Sequence, residues 1–134
     1  MSDANEMLAA EQFVYADCYW QDGRFVPYRL EGGRLVIDED AGLDTADRTD
    51  VFPCFATQVG DATCGGGETS AHGSCGFFFL RRGARLEWVV MSLESDPFVE
   101  VEAIPDGLVF RSRSGQRWIV GPDGPASLRV EASA

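Results

Sequence analysis

Lysine is absent from this sequence, histidine occurs once, at His72, and no apolar run reaches the length of a membrane-spanning helix. Each scarcity excludes something. All eleven bases are arginines, set against 22 acids, for a formal net charge of −11. A surface of that sign repels nucleic acid and anionic membranes and attracts basic proteins. A helical span would need about 20 consecutive apolar residues. The first residues, Met1 to Glu6, have neither the basic start nor the apolar stretch of a secretory signal. A cytoplasmic protein is therefore expected, with Cys18, Cys54, Cys64 and Cys75 reduced and no disulfides.

What is present suits one folded unit. With 134 residues, 45% of them hydrophobic and 25% charged, the chain can bury a core without staples and is expected to form a single domain, 1–134. Only the beginning reads as helix: Asp3 and Glu6 have capping-box spacing, and good helix formers fill Ala4 to Gln12. Strand signals follow. Phe13 to Trp20 is aromatic and β-branched, Asp22-Gly23 is a favoured hairpin turn, Pro27 in Arg24 to Leu30 marks an edge or bulge, and Gly32-Gly33 turns into Arg34 to Asp38. Val51 to Val59 is expected as a strand with Phe52, Cys54 and Val59 turned inward. Ser74 to Arg81 and Arg85 to Leu93 form the clearest hairpin. Phe77 to Leu80 are apolar on both faces, and Leu86, Trp88 and Val90 share one face. In Phe98 to Ile104, Val99, Val101 and Ala103 should face the core and Glu100 and Glu102 the solvent. The core should contain Phe77, Phe79, Leu80, Leu86, Trp88, Val90, Val101 and Trp118. Turns arriving every eight to twelve residues predict an all-β antiparallel meander, a sandwich or partly open barrel of 8–10 short strands with a short N-terminal helix or arm over 1–12. Two loops interrupt it: an acidic one over 38–50 and a Gly-rich one over 60–73.

No constellation carries a strong chemical signal. Cys54, Cys64, His72 and Cys75 could supply a Cys3His zinc site, yet Cys54 and Cys64 stand outside the close pairs such sites use. Cys64 or Cys75 with His72 could form a nucleophile and base, and the amides of Gly65-Gly66-Gly67 an oxyanion hole, but no family signature surrounds them. The glycines lack the Lys-Ser/Thr of a phosphate loop. Asp38, Asp40 and Asp44 miss the calcium-loop pattern, because Gly42 and Leu43 fall where a ligand and a glycine are required. No cofactor, metal or catalytic residue is assigned.

Charge distribution remains. Asp38 to Asp50 holds six acids and Glu94 to Asp106 five acids and no base. Asp38, Glu39, Asp40, Asp44, Asp47, Glu94, Asp96, Glu100 and Glu102 are the candidate partner-binding residues: a negative platform would steer a basic protein. The expected function is that of an inhibitor or immunity-type protein, such as bacteria raise against a toxin or enzyme. The competing readings are a small cysteine enzyme, an assembly domain, and acids that serve only solubility.

Overall fold

The computed structural model describes residues 4–69 and 75–132. Helix α1 (Ala4–Ala9) is followed by twelve strands: β1 (Gln12–Val14), β2 (Cys18–Gln21), β3 (Arg24–Glu31), β4 (Arg34–Ile37), β5 (Arg48–Val59), β6 (Ala62–Thr69), β7 (Gly76–Arg82), β8 (Arg85–Ser92), β9 (Phe98–Ile104), β10 (Gly107–Ser112), β11 (Arg117–Gly121) and β12 (Gly124–Glu131). They form one antiparallel sheet in the order β1-β5-β6-β7-β8-β2-β3-β4-β12-β11-β10-β9, curled into a half-barrel. The all-β antiparallel expectation holds, with more strands than anticipated. Phe13 to Trp20 is split by a bend into β1 and β2, which pair with different neighbours, β5 and β8.

The curl gives the sheet two buried faces. Inside it, Tyr19, Tyr28, Phe78, Trp88, Phe110 and Trp118 belong to one core. On the outside, α1, β1 and the start of β5 bring Met7, Phe13 and Val51 onto Trp20, Phe77, Phe79 and Met91. Strands β7 and β8 lie between the two cores, so their side chains are apolar in both directions. β3 crosses from one neighbour to the other. Its first half pairs with β2 and its second with β4, and Pro27 sits at the handover, where its missing N–H costs little.

Bulges correct three side-chain assignments. Glu87 is an extra residue opposite the Leu80–Arg81 step, so Leu86 turns to the outer core while Trp88 and Val90 face the inner one. Val99 is the extra residue on β9; Phe98 enters the core with Val101 packed beside it, and Val99 is 39% exposed. On β5 the break falls at Cys54, so Val51 packs in the outer core and Phe55 against the inner one, while Phe52 (45% exposed) and Cys54 face solvent.

The expected loops are also shorter. The acidic loop ends at Asp47, because β5 begins at Arg48. Most of the 60–73 stretch is strand β6, whose Gly65, Gly66 and Gly67 are buried between β5 and β7. A Cβ on Gly66 would stand 2.5 Å from the Phe77 carbonyl, one on Gly65 2.7 Å from the Phe79 ring, and one on Gly67 would overlap the Phe52 carbonyl. The glycines are there because backbone and aromatic rings occupy the space of their side chains. His72 lies outside the described residues, as does Asp3.

Candidate functional site

The acidic loop is pinned to the scaffold at several points and presents its charges from them. The Asp38 N–H donates to the Pro27 carbonyl (2.9 Å), and the Ala41 N–H to the Asp38 carbonyl (3.2 Å), which closes a turn carrying Glu39 and Asp40. Leu43 packs into the outer core. Asp44 accepts the Ala46 N–H on its side chain (2.9 Å) and the Asp47 N–H on its carbonyl (3.1 Å), the Asx-turn geometry that aspartate favours. The Asp47 carbonyl accepts the Tyr15 N–H at 2.8 Å. Glu39, Asp40, Asp44 and Asp47 all remain exposed.

Arg29 stands between this loop and the start of the second acidic segment. Arg29 lies 3.5 Å from the Asp38 carboxylate and lines a small hollow of about 150 Å³ with Asp17, Tyr28 and the exposed Glu94. Asp17 forms the back of the hollow. Burial pushes its carboxyl above the ordinary range, the Leu93 N–H that it accepts at 2.7 Å pulls it down, and nearby Glu94 raises it again. Tyr28 is held in place by donating its hydroxyl to the Met91 carbonyl (2.7 Å).

The other three expected residues are engaged elsewhere. Asp96 accepts the Ser114 N–H (2.6 Å) and hydroxyl (3.1 Å), fastening the β10–β11 turn. Glu100 and Glu102 lie on β9, the last strand in the sheet order, and flank Arg111 at 3.6 and 2.5 Å. The structure thus carries Asp38, Glu39, Asp40, Asp44 and Asp47 on one pinned loop, sets Glu94 on the same hollow as the Arg29 that faces Asp38, and leaves Asp96, Glu100 and Glu102 elsewhere.

Cys64 and Cys75 do not share a site. Cys64 pairs across from Leu80 near one end of β7, whereas Cys75 precedes Gly76 at the other end, its thiol donating to the Leu93 carbonyl. Burial pushes the Cys64 thiol up to about 11, with Arg82 opposing the rise, and the Cys18 thiol up to about 12, so both are protonated at neutral pH. Cys54 is exposed on the outer side of β5, opposite Gly66 and Gly67.

No family model, curated protein or solved structure matches this chain. No helix among the described residues is long and apolar enough to cross a membrane.

Motif and charge reading missed a second feature, a cleft at the end of the half-barrel where hairpin turns gather. Gln21, Asp61, Arg82, Glu87, Trp88 and Asp123 meet there from five separate stretches of the chain. The one signal in the sequence was indirect. In an antiparallel sheet alternate turns share an end, and Asp22-Gly23, Gly60-Asp61, Arg82-Gly83 and Asp123-Gly124 all mark turns of that set.

Proposed function

We propose that this protein is an acidic binding domain that captures and blocks a basic protein in the cytoplasm, as an inhibitor or immunity protein does to a toxin or enzyme. The role is one of binding rather than catalysis. The observation that carries it is the group of five carboxylates on a single loop whose backbone is pinned at both ends, four of them exposed. A pinned loop loses little freedom on binding, so its charges are already placed when a partner arrives. Opposite charge at that face accelerates encounter, while affinity comes from a few anchors at the centre of the contact.

The test is affinity capture from the source cell with the parent protein and with an Asp38→Asn, Glu39→Gln, Asp40→Asn, Asp44→Asn variant. Each partner so purified is then measured for association and dissociation rates. The reading requires a basic partner whose activity falls on binding and whose association the variant slows. A partner that binds both proteins at the same rate, or keeps its full activity when bound, contradicts it.

A further inference from the structure

At the turn end of the half-barrel the inner core does not close over, and a cleft of about 350 Å³ remains. That volume suits a small ligand or one long side chain. Its inner wall is apolar: Val59, Ala62, Leu80, Trp88 and Leu108, together with the Cys64 thiol, which burial keeps protonated and uncharged. Its rim is polar and mostly negative, with Asp61, Glu87 and Asp123 against one cation, Arg82.

That cation is already engaged. Arg82 contacts the Asp61 carboxylate and lies 3.3 Å from Glu87, which also faces Arg85 at 3.8 Å. Asp123 belongs to no ion pair among the described residues, and its carbonyl accepts the Gln21 side-chain N–H (3.0 Å), which fixes the turn at the cleft mouth. Gly124, at φ +106, leaves room for that glutamine to lie against the backbone.

We infer that this cleft receives a guanidinium or ammonium group carried on an apolar stem. An anion would meet the unpaired Asp123 carboxylate and an arginine whose charge is already taken up by Asp61 and Glu87. A wholly apolar ligand would cover the rim acids without replacing their water. A cation on a hydrocarbon stem suits both parts, the stem against Leu80, Trp88 and Leu108 and the charge at Asp123, the rim carboxylate that no arginine engages among the described residues. Two sources carry that chemistry: an arginine or lysine side chain of a protein, which rests on the basic-partner reading above, and a free organic cation, which does not.

The test is amide and indole NMR mapping of the full chain with butylguanidinium chloride at millimolar concentration, against its neutral counterpart butylurea. The expected result is shifts at the Trp88 indole and the Gly107 and Leu108 amides with the cation and not with the urea. Asp123→Asn, a change in an exposed turn, should weaken the cation about two- to fivefold, as loss of one exposed charge contact does. A blocked Gly-Arg-Gly peptide separates the sources. The same shifts with the peptide assign the cleft to a protein side chain, and shifts with butylguanidinium alone assign it to a free cation; both uphold the cation site. Equal shifts with butylurea, or shifts at Glu39, Asp40 and Glu94 in place of the cleft, overturn it. That failure leaves the loop-charge reading standing, and an unchanged association rate in the four-acid variant leaves the cleft standing.

Discussion

Phe78 shows how much of this fold rests on single rings. It stacks on Phe110 with ring centroids 4.2 Å apart, meets Phe98 edge-on at 4.8 Å, and touches Trp88 and Trp118 at 6.0 and 6.2 Å. It thereby joins β7 to β8, β9, β10 and β11 across the inside of the curl. Phe78→Ala should cost about 3–5 kcal/mol, a large share of a small domain's stability, measured by urea unfolding. A loss below about 1 kcal/mol would mean that the two halves of the curl do not lean on this ring. Asp17 gives a second expectation at this scale. Burial raises its carboxyl above the ordinary 3.8, against the pull of the Leu93 N–H, so the folded state binds that proton more tightly than the unfolded chain. Its contribution to stability is then greatest below the unfolded value and falls as pH rises through the raised one. An Asp17→Asn variant can still accept the Leu93 N–H but does not titrate. Relative to it, the parent should lose stability as pH rises from below the ordinary 3.8 through the raised value, and a constant difference would show that Asp17 is unperturbed.

Among elements, the hairpins were legible and the glycine strand was not. Asp22 and Gly23 take φ of 53° and 78°, the conformation that the Asp-Gly pair announces, and the β7–β8 hairpin lies where its apolar residues predict. Seven of the eight expected core residues are buried, and Val101 is half-buried against them. β6 escaped because three glycines and small polar residues carry no periodicity. Its strand is imposed by neighbours on both sides, a tertiary effect that no local pattern records. The bulges at Cys54, Glu87 and Val99 escaped for the same reason, since each is set by pairing register. The acidic loop was visible from composition. The withdrawal of Asp96, Glu100 and Glu102 was not, because it depends on Ser114 and Arg111, distant in sequence. Gly66→Ala checks the account of β6. With its Cβ 2.5 Å from the Phe77 carbonyl, it should cost about 1–3 kcal/mol by overpacking. Gly42→Ala, with open space around it, should stay within about 0.5 kcal/mol in the same melting experiment. Equal melting points for the two variants would refute the packing of β5, β6 and β7.

For the whole molecule, the net charge of −11 is unevenly deployed. Arg111 neutralises part of β9, Arg29 sits at the edge of the loop face, and the four carboxylates of Glu39, Asp40, Asp44 and Asp47 stand exposed beyond it. Exposed charges of this kind add little to affinity, roughly 0–1 kcal/mol per pair, but act on the rate of encounter over a Debye length of about 10 Å. The most direct measurement is therefore the association rate of the captured basic partner with parent and four-acid variant across a series of salt concentrations. The proposed function predicts a parent rate that falls steeply with salt, a variant rate that is slower at low salt and converges on the parent at high salt, and dissociation rates that stay nearly equal. Identical, salt-independent association of the two proteins would contradict it.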